Sequence, residues 1–132
     1  MKVVLDRVAL VKMLTCLRTE RGATAHPDKF ARLWACAGRI FVEANHVTAG
    51  MESLVLRDGS CYVPRNRFLK LVQSYAPKAN ITIEADARTL RIETMTMESV
   101  DFSPVGVPPA KFNVFPVTDT WVAKSAMEAT GD

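Results

Sequence analysis

Residues 62–72 read YVPRNRFLKLV, a short apolar run that passes through a proline into a helical pattern. Pro64 suits the first turn of a helix, because the amide hydrogen that proline lacks has no partner there. From Arg65 to Ala76 apolar side chains recur at helical spacing. They are Phe68, Leu71, Val72 and Tyr75, flanked by Leu69 and Ala76. The opposite face holds Asn66, Arg67, Lys70, Gln73 and Ser74 and no acid. The stretch predicts an amphipathic helix with a cationic outer face.

The first half of the chain predicts elements in the same order. A short strand, Lys2–Leu5, leads to Asp6, whose carboxylate is a candidate cap for the next helix. That helix is predicted from Arg7 to Arg21, and Gly22 is its predicted stop. Its predicted buried residues are Leu10, Met13, Leu14 and Leu17.

Strand patterns surround both helices. They cover Phe30–Ala37, Arg39–Ala44, Met51–Leu56, Ser60–Val63, Asn80–Ala85, Thr89–Thr94 and about Glu98–Phe102. The order β-α-β-β-β therefore occurs twice, with a period of about 58 residues. We predict an α+β fold of two β-α-β-β-β halves, with both helices on one face of a curved antiparallel sheet.

The domain is predicted to cover residues 1–116. Pro104 to Pro116 contains four prolines and predicts an extended closing segment. Residues 117–132 are expected to be a C-terminal tail, flexible or docked on a partner.

Composition excludes several classes of protein. The chain has 132 residues, 48% apolar and 23% charged, as one average globular domain has. Its apolar runs fall short of the about 20 residues of a membrane span, and the first residues carry charge too early for a secretory signal. Cys16, Cys36 and Cys61 are odd in number and lack C-x-x-C spacing, which argues against a disulfide framework. We expect a soluble, cytoplasmic protein without a membrane partner.

Positive charge is concentrated in two segments. The net charge is +3, but residues 1–39 carry +5 and residues 64–78 carry +4. The remaining segments are acidic. This asymmetry fits a polyanionic partner for the basic segments, and it fits a mixed solvated surface equally well.

Candidate catalytic residues are few. His26 lies in a predicted loop and His46 near a predicted turn, while Cys61 lies in a predicted strand, where cysteine is usually a small buried hydrophobe. The sequence contains no glycine-rich phosphate loop and no His/Cys/carboxylate cluster for a metal. We therefore expect no catalytic residues, no metal and no cofactor, and an enzyme that uses Cys61 or His46 is the poorest interpretation.

Several stretches are similar to one known family. Residues 62–72 resemble the strand-to-helix start of bacterial sliding-clamp domains, the beta subunit of DNA polymerase III, which makes the replicative polymerase processive. Residues 81–84 and 89–93 resemble the hairpin that follows. Val100-Asp101-Phe102, Pro108–Phe112 and Phe115-Pro116 resemble the closing strand and its exit. In the first half, residues 10–17 and 38–44 resemble the opening helix and hairpin, so the resemblance covers about residues 1–116.

The resemblance implies a function in DNA replication. In that family, six such domains close a ring around duplex DNA, with helices lining the hole. It implies that Arg67, Lys70 and Gln73, with Lys12 and Arg7, contact the DNA backbone independently of sequence. It also implies homo-oligomers and replication proteins as partners. This chain is expected to have one domain where known clamps link two or three, so either six separate chains form a ring or no ring forms.

Two non-catalytic interpretations follow. The first is a clamp-like DNA-binding processivity protein that self-associates. The alternative is a clamp-fold interaction module or decoy, which binds replication or defence proteins without encircling DNA. Sheet edges near Met51–Leu56 and Glu98–Phe102 are expected to be free in a monomer, and free edges favour pairing with another chain.

Overall fold

The structure is a computed structural model and describes residues 1–16, 30–44, 46–75 and 80–117. The described part contains two helices and eleven strands. The helices are α1 (Arg7–Cys16) and α2 (Arg65–Gln73). The strands are β1 (Lys2–Asp6), β2 (Phe30–Cys36), β3 (Arg39–Ala44), β4 (Val47–Glu52), β5 (Leu54–Arg57), β6 (Gly59–Pro64), β7 (Asn80–Ala85), β8 (Thr89–Ile92), β9 (Met95–Glu98), β10 (Val100–Ser103) and β11 (Asn113–Phe115). Neither helix is long and apolar enough to cross a membrane.

The chain is built from two halves with the same element order. The first half is β1, α1 and β2 to β5, and the second is β6, α2 and β7 to β10. Each half has one strand more than the sequence predicts, because Met51–Leu56 and Glu98–Phe102 each contain parts of two strands. The breaks lie at Ser53 and Ser99, which are both buried. An unbroken run of strand-forming residues does not show where a chain changes its pairing partner.

The buried serines lie where the chain leaves one sheet and joins the other. The N–H of Ser53 donates to the carbonyl oxygen of Gly38 (3.0 Å), in the β2–β3 turn. The N–H of Ser99 donates to the carbonyl oxygen of Arg88 (3.0 Å), in the β7–β8 turn. These bonds satisfy buried backbone groups at the two crossings, as burial requires.

The strands form two sheets, where the sequence analysis predicts a single curved one. The orders are β5-β1-β7-β8-β9 and β10-β6-β2-β3-β4-β11. Apart from β11, the two orders become identical when each strand is exchanged for its counterpart in the other half. Each half thus gives its three middle strands to one sheet and its first and last strands to the other. The described pairings are antiparallel except that of β11 with β4, which is parallel. The predicted α+β class with two related halves is confirmed.

One core lies between the sheets and the helices. It contains the inward side chains of both sheets together with Leu10, Leu14, Phe68 and Val72. These four predicted core residues are buried, whereas Leu71 is half-buried and packs against the cluster. The predicted core residue Leu17 lies outside the described residues.

The helix starts and ends differ slightly from the predicted ones. Asp6 Oδ1 accepts a hydrogen bond from the N–H of Val8 (3.2 Å), which confirms Asp6 as the cap of α1. Pro64 is the N-cap of α2, one position before its first turn. The last turn of α2 tightens at Ser74, whose N–H bonds the carbonyl oxygens of Lys70 (3.1 Å) and Leu71 (3.2 Å), so α2 ends before the predicted Ala76. The predicted continuation of α1, residues 17–21, lies outside the described residues.

The closing segment (residues 104–116) runs over the outer face of the six-stranded sheet. Trp34 and Phe41 lie on this face, in a cluster separate from the main core, with their rings stacked 5.4 Å apart. Trp34 Nε1 donates to the carbonyl oxygen of Val107 (3.0 Å). Phe112 packs edge-on against Phe41 at 5.0 Å. The closing segment therefore covers an aromatic cluster that would otherwise face solvent.

Phe68 tests the shared core. The side chain is fully buried in α2, so we expect Phe68→Ala to lower the free energy of unfolding by about 3–5 kcal/mol, as aromatic truncation in a core does. Leu71→Ala should cost less, because Leu71 is half-buried. Urea unfolding followed by circular dichroism measures both, and an equal or larger loss for Leu71→Ala would contradict this packing.

Candidate nucleic-acid interface

The two helices lie in contact with each other and share one core. Ala9, Leu10, Met13 and Leu14 of α1 are buried, as are Phe68, Leu69 and Val72 of α2. Because both helices turn their apolar sides to the same cluster, their exposed sides adjoin. The sequence repeat thus creates a continuous surface from two elements that are far apart along the chain.

The exposed sides of the helices carry most of the predicted contact residues. Arg67, Lys70 and Gln73 are exposed on α2, and they follow one another at intervals of three residues. Positions three apart are neighbours on a helix surface. Lys12 is exposed on α1, whereas Arg7, the first residue of α1, is half-buried. The structure therefore brings four of the five residues onto exposed helix faces and leaves Arg7 at the margin.

Neither described helix contains an acidic residue. The outer face of the five-stranded sheet is different, because Glu84 there pairs with Lys2 (3.3 Å) and with Arg91 (3.1 Å). Lys12 and Lys70 form no ion pair with any described residue. Positive charge on the helix side is thus not cancelled within the helices, which favours an anionic partner.

Two hydroxyl groups of the helix faces are engaged inside the helices. Thr15 Oγ1 donates to the carbonyl oxygen of Val11 (2.8 Å), and Ser74 Oγ donates to that of Leu71 (2.6 Å). Serine and threonine commonly bond a carbonyl one turn back, and this pattern could have been expected from their positions. Donors that remain available to a ligand include the ammonium groups of Lys12 and Lys70 and the Gln73 amide.

The groups considered for catalysis lie elsewhere. Cys61 is fully buried in the main core, and Cys36 is buried with the aromatic cluster. His46 occupies a turn between β3 and β4 with a positive φ of 64°, and His26 lies outside the described residues. Within the described ranges, no three His, Cys, Asp or Glu side chains are grouped so that they could hold a metal ion.

Comparison with solved structures places this arrangement among known folds. The beta subunit of DNA polymerase from Streptococcus pyogenes superposes with a TM-score of 0.67 at 11% identity, over 76% of this chain and 30% of that one. The Bartonella birtlesii sliding clamp gives 0.64 at 20% identity, over 76% and 31%. The Helicobacter pylori beta clamp bound to a DNA ligase peptide gives 0.62 at 14% identity, over 84% and 34%.

The chain has the fold of a sliding-clamp domain. It spans about a third of the length of the clamps that it matches. No protein-family model and no curated protein matches the sequence. The fold therefore carries the similarity, and the predicted resemblance to bacterial sliding clamps is confirmed at that level.

Cys61 gives this clamp-like domain a measurable pH dependence. Burial raises the pKa of the Cys61 thiol to about 11, whereas a cysteine in an unfolded chain has a pKa of about 8.5. Between these values the unfolded chain loses a proton that the folded chain keeps, so the free energy of unfolding falls as the pH rises. We expect Cys61→Ala to show a shallower fall than wild type from about pH 8.5 to pH 11 in chemical unfolding. Parallel profiles would contradict the raised pKa.

Proposed function

We propose that the protein is a non-catalytic, sliding-clamp-like DNA-binding protein that contacts the backbone of duplex DNA after self-association. The observation that carries this proposal is the paired helix surface, which exposes Lys12, Arg67, Lys70 and Gln73 on a sliding-clamp fold and contains no acid. Cytoplasmic replication is the process in which such a protein would act. The domain proposed to perform it covers residues 1–116.

The proposed contact is with phosphates. Lysine and arginine neutralise phosphate charge and release counterions, so binding is sequence-independent and weakens as salt rises. Gln73 adds an amide donor in line with Arg67 and Lys70, and such polar contacts position a protein on a duplex without reading bases. Arg7 is half-buried and is proposed as a peripheral contact.

The described part of the protein spans about a third of a known clamp, so encirclement by this domain alone would take several copies of it. Among the described strands, β5 and β9 end one sheet, and β10 and β11 end the other. The predicted free edge at Met51–Leu56 is therefore only partly present: Leu54–Arg57 is an edge strand, but Met51 lies in β4, which β11 covers. We propose that copies associate through open edges, where unpaired backbone groups are available.

Replication proteins are proposed as further partners. The Helicobacter pylori clamp to which this fold is similar was solved with a DNA ligase peptide. No residue of this chain is assigned to such a contact.

The double change Arg67→Glu plus Lys70→Glu tests the DNA contact. We expect it to weaken duplex binding equally for unrelated sequences and to lower the salt slope by about one for each phosphate interaction that it removes. Stability should change by at most about 0.5 kcal/mol per site, because both side chains are exposed. Fluorescence anisotropy over a salt series measures the binding, and retention on closed circular against linear duplex measures encirclement.

A matched variant controls for net charge. Arg88→Glu plus Lys111→Glu reverses two exposed cations outside the helices and changes the net charge equally. We expect it to retain most of the wild-type binding. An equal loss of DNA binding in both double variants would mean that net charge, and not the helix surface, determines the affinity. A wild-type protein that retains neither linear nor circular DNA at low salt would refute DNA binding.

Leu56 tests association through the β5 edge. Leu56 is 42% exposed on this edge strand, and lysine on an edge opposes pairing with another chain. We expect Leu56→Lys to lower the average mass in multi-angle light scattering, whereas Phe30→Lys, at an exposed position on the interior strand β2, should not. A wild type that is monomeric at every concentration would refute association.

A further inference from the structure

The chain itself covers the edge of β4. β11 places Asn113 beside Ala49, Val114 beside Gly50 and Phe115 beside Met51. The counterpart of β4 in the other half is β9, which ends its sheet. Two equivalent edges therefore differ, since one is open and the other is covered by the closing segment.

The closing segment fits a shaped slot on the sheet. Phe112 packs edge-on against Phe41 at 5.0 Å, and the guanidinium carbon of Arg39 lies 5.2 Å from the centre of the Phe112 ring. Gly50 makes room for these rings, because a Cβ there would lie 2.7 Å from Phe41. Gly106 similarly lies so close that a Cβ would approach the Ala35 carbonyl oxygen to 2.9 Å. The contact is specific, and single substitutions can disturb it.

The attachment is nevertheless short. β11 has three residues, and the prolines on either side of it donate no backbone hydrogen bond. Val105, Val107 and Val114 of this stretch are 62%, 67% and 69% exposed. A segment with few ladder bonds and few buried side chains opens at low free energy relative to global unfolding.

We propose that the closing segment is a displaceable cover and that its release lets the β4 edge pair with a second copy of the chain. Without β11, β4 is an unpaired strand with the sequence VTAGME, long and weakly charged, which is the kind of edge that accepts another strand. The inference rests on the proposed self-association and adds a way in which that association is regulated. The apparent affinity for self-association is proportional to the fraction of molecules in which β4 is uncovered, so release of the closing segment strengthens association.

Trp34 reports release directly. The chain has two tryptophans, so a Trp121→Phe background leaves Trp34 as the single indole, beneath Val107. Phe112→Ala removes the edge-on ring, and Gly106→Val forces the segment away from Ala35. Val114→Ala is the matched control, because Val114 lies on β11 with an exposed side chain. Emission, acrylamide quenching and light scattering are measured on the full chain.

Both release variants should shift Trp34 emission to longer wavelength. The apparent dissociation constant for self-association should fall about tenfold if about a tenth of wild-type molecules are released. Adding Thr48→Lys to Phe112→Ala should reverse this gain, because a charge on β4 opposes strand pairing. Thr48 is half-buried and its hydroxyl donates to the carboxylate of the exposed Glu43 (3.1 Å), with which a lysine ammonium at this position can pair.

Four results would overturn the proposal. They are an emission shift without stronger association, no emission shift in either release variant, and a gain that Thr48→Lys does not reverse or that Val114→Ala shares. The DNA proposal is judged separately. If the release variants associate but fail to retain circular duplex, the proposed displaceable cover is supported and the proposed clamp-like function is refuted.

Discussion

The exchange of strands between the halves is the constraint on which the rest of the structure depends. Neither half completes a sheet, because each gives its first and last strands to the sheet that the other half fills with three. Burying the apolar faces of either half therefore requires the other half. The single core between the sheets and both helices is the consequence, and it is a packing that cannot be divided without exposing both parts.

This shared core also decides which surfaces are left for partners. The helices are in contact above a common cluster, so their polar sides combine into one surface whose charge is set by short, acid-free sequences. On the outer side, the five-stranded sheet carries the Lys2–Glu84–Arg91 ion pairs. The six-stranded sheet instead carries stacked aromatic rings under the closing segment. Three surfaces of different chemistry thus arise from two related halves.

Local pattern was enough to predict what single elements do. Helical spacing in Arg65–Gln73 predicts that Arg67, Lys70 and Gln73 are exposed, and the structure confirms this exposure. Their contact with DNA stays a prediction. The crossings at Ser53 and Ser99 could not be predicted, because they depend on carbonyl groups in distant turns. β11 was missed for a similar reason: three residues among prolines form a strand only through the neighbouring β4.

The placement of β1 governs the order in which this chain can fold as it leaves the ribosome. β1 lies between β5 and β7, so this strand, which precedes both in the chain, gains its second neighbour only when residues 80–85 have emerged. Pairings of such long sequence separation form slowly and leave apolar strands open to wrong partners in the meantime. A hairpin of β2 and β3 can form early in the nascent chain, while β1 is still unpaired. A nascent chain stopped before β7 would therefore hold an unfinished sheet with exposed apolar strands rather than a folded half of the domain.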